Sequence, residues 1–112
     1  MSNVKLERLN SSIQREVSII LKNDVRDKQI KFVTVTAVKT AGDMSSAKIY
    51  VTVLDQTKKE EIMSSLQNAK GFVRSSLASK LNMRHVPDLE FVYDESIEYG
   101  MNIEQKLKEI HE

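Results

Sequence analysis

The chain has no cysteine and no tryptophan, one proline, three glycines and two histidines among its 112 residues. Each scarcity excludes a class of chemistry. Without cysteine there are no disulfides and no thiolate metal ligands, which fits a reducing compartment. Gly42, Gly71 and Gly100 stand too far apart for a Walker-type phosphate loop or a dinucleotide fingerprint, both of which need clustered glycine. His85 and His111 lack the cysteine partners that usually complete a tetrahedral zinc site. No G-x-S-x-G elbow is present, so nothing in the spacing favours a Ser-His-Asp arrangement. No run approaches ~18 apolar residues, and the start, MSNVKLERLN, lacks the apolar core of a secretory signal. Aromatics make up 5% of the chain and fall mostly at core or strand positions, so a base-stacking platform is not expected. These absences predict a small cytoplasmic protein with no metal, no cofactor and no membrane partner.

What is present suits one domain. The length is near the common domain size, and 40% hydrophobic with 29% charged residues is ordinary for a globule. A chain this long buries roughly two-thirds of its unfolded surface, enough for one core without staples. Leu6, Leu9, Ile13, Val17 and Ile20 recur at helical steps, which predicts a helix from about Asn3 to Asp24. Phe32 to Lys39 alternates Val33, Val35 and Ala37 against Thr34 and Thr36, as a strand does. After a turn at Ala41-Gly42-Asp43, a second strand alternates Ala47, Ile49, Val51 and Val53 with Lys48, Tyr50 and Thr52. The two read as an antiparallel hairpin.

Helical period returns from Thr57 to Leu81 through Ile62, Leu66, Ala69, Val73, Leu77 and Leu81. Gly71 lies inside it, and a helix-interior glycine costs about 1 kcal/mol relative to alanine, which predicts a kink or a break between two helices. Pro87 ends the pattern, and Leu89, Phe91 and Tyr93 form a third alternating strand. A last helix is expected from about Ile97 to Ile110. Strands two and three are joined by a helical crossover and should therefore lie parallel. The expected fold is α+β, ordered α-β-β-α-α-β-α, with a three-stranded mixed sheet and helices on one face. One domain spans residues 1–112, with its core at about 4–94 and a helical tail at about 95–112.

Charge is strongly polarised beneath a formal net of +1. Ile62 to Pro87 hold Lys70, Arg74, Lys80 and Arg84 without one carboxylate. From Asp88 to Glu112 eight acids face only Lys106 and Lys108, a net of −6 against +7 for the residues before them. Such asymmetry points to a polyanionic partner. On the first helix Arg8, Arg15 and Lys22 are spaced by seven, so they fall within roughly 40° of one another, away from the apolar stripe. None has an acid three or four residues away, although exposed helices usually gain a few tenths of a kcal/mol from such pairs. On the later helix Arg74 and Lys80 flank the stripe and lack a local acid too, beside the small polar face of Ser75, Ser79 and Asn82. Their stems could simply run along the core edge. Alternatively, cations beside small hydroxyls admit a phosphate backbone. Lys70 sits at the expected break, where a helix starting near Gly71 would offer unpaired N–H groups to an anion. Arg84 and His85 extend the same acid-free stretch.

The segments Ile13 to Val17, FVTVTAVKTAGDMSSAKIYVTVL and AKGFVRSSLASKLNMRHVPDLEFVYDESIEYG resemble the ribosome-binding factor A family, and the resemblance runs from about Val4 to Ile110. It implies a KH-like fold of the second topological type. Ordinary KH domains clamp single strands with a GXXG loop between paired helices. Here Ala69-Lys70-Gly71 takes that place as a structural kink, which argues against that clamping mode. The resemblance further implies a non-enzymatic assembly factor that binds the free or immature 30S subunit and its 16S rRNA. Late maturation, 5′-end rRNA processing, growth at low temperature and release before translation are implied with it, and a ribosome-associated GTPase is implied as a partner in release. A monomer is expected.

On this reading Arg8, Arg15, Lys22, Lys70, Arg74, Lys80, Arg84 and His85 contact RNA, and the acidic tail faces away from it or repels it. Two rivals belong to other classes. A protein-interaction adaptor would use the charge polarity and bind its partner after nuclease treatment. A small enzyme using His85 as a base would need a carboxylate or serine within hydrogen-bond reach of the ring.

Overall fold

In the computed structural model, which describes residues 3–96, helix α1 (Asn3–Ile19) leads through a wider π turn (Ile20–Asp24) and a 3₁₀ turn (Lys28–Phe32) into strand β1 (Thr34–Thr40). Strand β2 (Ser46–Thr52), helix α2 (Lys59–Leu81) and strand β3 (Asp88–Tyr93) follow. The sheet order is β1-β2-β3, antiparallel between β1 and β2 and parallel between β2 and β3. The mixed sheet is the one expected from the hairpin and the crossover. The expected final helix at Ile97–Ile110 lies outside the described residues.

The core forms where the helical stripes meet one face of this sheet. Ile13, Val17, Ile20 and Leu21 come from the first helical segment, and Ile62, Leu66, Val73 and Leu77 from α2. Ala47, Ile49, Val51, Leu89 and Phe91 come from the central and third strands, and Ile30 joins them from the 3₁₀ turn. Each fully buried large side chain contributes about 1.5–3 kcal/mol. No polar or charged residue is fully buried among the described residues, so packing carries the stability.

Two local expectations are corrected. First, of the kink or break expected at Gly71 the break is absent, since α2 is helical without interruption through the glycine. The apolar stripe keeps its phase across the glycine, so a single rod buries Leu66 and Val73 together. A β-carbon at Gly71 would meet nothing within 4 Å, so no close approach requires glycine there. The helix ends instead at Asn82, which adopts the left-handed conformation (φ 52°). Asn82 N–H donates to the Ser79 carbonyl at 3.3 Å and Met83 N–H to that of Ala78 at 3.1 Å, a Schellman closure. Second, β1 does not alternate throughout. A bulge between Val35 and Ala37 leaves Thr36 out of the register with β2, and the inward residues become Val35 and Val38. One extra residue exchanges the two faces of everything after it.

β1 is an edge strand, and α1 covers it. Asn10 Oδ1 accepts from Thr40 N–H at 3.0 Å and from its hydroxyl at 2.6 Å. Gln14 Nε2 donates to the Val35 carbonyl at 3.3 Å. These bonds occupy backbone groups that β2 does not reach, and such groups otherwise invite another strand. They also fix the rotation of α1, and so decide which of its residues face outward.

Candidate nucleic-acid interface

With Ile13 and Val17 buried and Asn10 and Gln14 turned to β1, the opposite side of α1 faces out. Arg8 and Arg15 are exposed there and Lys22 is exposed in the π turn that continues the helix, and none of the three makes an ion pair among the described residues. Arg8 borders a shallow depression with Val4, Glu7, Ser11 and Ser12. Lys22 borders a second one of about 700 Å³ with Ser18, Asn23 and Lys31. Cations left without partners on a rigid helix can meet phosphates without first breaking an ion pair.

The cations of α2 behave differently, and the acid-free expectation for them fails in three dimensions. Arg74 Nη2 donates to the Val86 carbonyl at 2.8 Å and Nε to the same oxygen at 3.3 Å. Its Nη1 lies 3.2 Å from Asp88 Oδ1. The side chain thus ties the connector after α2 back to the helix that precedes it. A guanidinium has five N–H donors, so two remain for an outside acceptor. Lys80 Nζ pairs with Asp24 Oδ2 at 3.6 Å, joining α2 to the turn after α1. Sequence neighbours could not show either acid, because both arrive from distant segments. Lys70 is half-buried, while Arg84 and His85 are exposed in the connector. His85 makes no side-chain hydrogen bond among the described residues. Because α2 is continuous, Lys70 lies mid-helix with no free N–H groups beside it, so the anion site expected at a helix start is absent.

Sequence reasoning missed two features. Lys28 and Lys31 are exposed on the 3₁₀ turn beyond Lys22, and they extend the basic surface past α1. A run of lysines with no helical period gave no signal of direction. The aromatics also depart from expectation: Phe32 is 67% exposed and Phe72 48%. Phe32 ends the 3₁₀ turn one residue before the strand pattern takes hold, so alternation could not place it.

A family model described as ribosome-binding factor A matches residues 5–107. Ribosome-binding factor A from Staphylococcus carnosus is 41% identical over 112 residues, covering 99% of this chain and 97% of that protein. The chain belongs to the ribosome-binding factor A family. A crystal structure of the family's protein from Thermus thermophilus has a TM-score of 0.71 at 25% identity, covering 79% of this chain and 94% of that one. A homology model of the Thermus thermophilus factor, fitted into an electron cryo-microscopy map of its complex with the 30S subunit, has a TM-score of 0.64 at 24% identity and shares the fold. It covers 76% of this chain and 90% of that one. The architecture common to these ribosome-binding factors is KH-like, here with the continuous α2 in place of a helix pair. Among the described residues no helix is long and apolar enough to cross a membrane, and no group of three or more His, Asp or Glu is placed to hold a metal ion.

Proposed function

We propose that this chain is a non-catalytic factor of late small-subunit assembly, acting in the cytoplasm. It docks on 16S rRNA of the free 30S particle and assists maturation that includes 5′-end processing. The observation that carries the reading is the exposed set Arg8 and Arg15 on α1, whose rotation α1–β1 hydrogen bonds fix, with Lys22 in the π turn that follows, all without an acid partner among the described residues, in a member of a ribosome-binding family. The Thermus protein's complex with the 30S subunit supports the choice of particle. Lys70, Arg84 and His85 are the secondary contacts; Arg74 and Lys80 contribute mainly through the connector and the α1 turn that they brace.

Co-sedimentation with free small subunits, large subunits and intact ribosomes tests this. The expected result is retention on free small subunits alone, lost when Arg8, Arg15 and Lys22 are all changed to Glu while the circular dichroism is unchanged. Binding that persists in the triple variant, or that is equal on every particle, would overturn it. Retention after nuclease treatment of the particle would favour the adaptor reading instead. Lys70→Glu with Arg84→Glu is the cleaner probe of the second group, since Arg74→Glu would set a carboxylate beside Asp88 and disturb the fold.

A further inference from the structure

Phe32 stands between two depressions and borders both. One, of about 310 Å³, is bordered by Lys28, Leu54, Lys58 and Ile62. The other holds Lys22, Lys31, Val33 and Thr34. A phenyl ring left 67% exposed costs hydrophobic free energy that a buried site would recover. Its support is firm. Asp27 caps the 3₁₀ turn by accepting from Gln29 N–H at 3.0 Å, Ile30 is fully buried, and Val33 N–H donates to the Ile30 carbonyl at 3.0 Å. With three residues per turn, burying Ile30 directs Phe32 away from the core. The backbone that carries the ring is therefore fixed before any partner arrives.

The surroundings decide between partners. Lys22, Lys28, Lys31 and Lys58 are all exposed around the two depressions, against one bordering carboxylate, Asp55, which accepts from the Thr57 hydroxyl at 2.6 Å and its N–H at 3.0 Å. The neighbouring acids Asp27 and Glu61 bond to Gln29. An apolar protein segment would find Leu54 and Phe32 attractive but gains nothing from four cations. An unpaired nucleotide uses both: its base stacks on the ring and its flanking phosphates meet the lysines.

We propose that Phe32 is a stacking anchor for an unpaired base of single-stranded RNA, with Lys22, Lys28, Lys31 and Lys58 holding the adjacent backbone. The inference rests on the RNA-docking reading and adds a site that shares Lys22 with the first basic group and extends beyond it. It gives the protein a contact that duplex RNA, with its bases stacked inside, cannot supply.

The chain has no tryptophan, so Phe32→Trp places one fluorophore at the site. The expected result is quenching by a short oligoadenylate and little change with a duplex RNA of equal charge. In co-sedimentation with free small subunits, Phe32→Ala and Phe32→Leu should each weaken binding roughly 5- to 150-fold, while Phe32→Tyr keeps it. The exposed position leaves folding intact in each case. Equal quenching by both RNAs would overturn the proposal, as would a Phe32→Leu variant that binds like wild type, since leucine keeps apolar contact and loses stacking. If wild type binds small subunits and only the α1 triple variant fails, the stacking site is wrong and the docking reading stands. If wild type does not bind them at all, the docking reading itself fails.

Discussion

Arg74 shows how far a residue's role depends on partners that its own helix does not provide. Its ion pair with Asp88 is weak, because the two side chains are 46% and 78% exposed and water screens such pairs to about 0–1 kcal/mol. The bonds to the Val86 carbonyl matter more, being charge-assisted and next to a buried residue. Arg74→Gln should therefore cost about 1–2 kcal/mol in urea denaturation, and Asp88→Asn no more than about 0.5. Equal losses would assign the stability to the ion pair. At Asp43 and Asp55 the hydroxyl and then the N–H of the residue two positions on hold the carboxyl below the ordinary aspartate value. A lowered folded-state value stabilises the fold above about pH 3.9, and that contribution is lost as pH falls through the folded value. Carboxyl titration by NMR should place both midpoints low, and Ser45→Ala should raise that of Asp43 alone.

At the scale of elements, α2 makes the sharpest test. An unbroken helix with open space beside Gly71 predicts that Gly71→Ala stabilises the protein by about 1 kcal/mol. A loss of stability would mean that the glycine serves a bend the helix needs. At the β1 edge of the sheet, Asn10 bonds twice to Thr40. Asn10→Ala should lower stability by about 1–2 kcal/mol in thermal or urea unfolding, as it leaves the Thr40 N–H without its partner. The bulge at Thr36 belongs to this scale as well. It moves the buried position from Ala37 to Val38, a change that no alternation of Val and Thr could reveal.

For the whole molecule the polarity of charge is the main determinant of behaviour. Neutralised phosphates release counterions, so affinity for a small subunit should fall with salt in proportion to the contacts made. Removing Arg8, Arg15 and Lys22 together should make the slope of log affinity against log salt shallower by about 2 to 3. An unchanged slope with weaker binding would place those residues outside the phosphate contacts. The fold redistributes the charge that composition suggests. Lys80 is matched by Asp24 and Arg74 by Asp88, so the second basic group is in part internal bracing. Among the described residues Arg8, Arg15 and Lys22 are not matched in this way.

Much of this was determined by sequence alone. Apolar period specified α1, α2 and the three strands, because each element must present one face to a core, and the helical crossover required β2 and β3 to be parallel. The spacing of Arg8 and Arg15 likewise placed them on one outward side of α1, since seven residues are nearly two helical turns, whereas the exposed Lys22 lies in the π turn beyond it. Only the tertiary structure decided what depends on distant neighbours. It found the acids that meet Arg74 and Lys80, kept α2 whole through Gly71, turned the end of β1 by one residue, and left Phe32 in the open among lysines. The physical reason is common to all four. Local pattern records which face of a segment avoids water, whereas contacts across the chain settle which charges are paired and which surfaces remain bare.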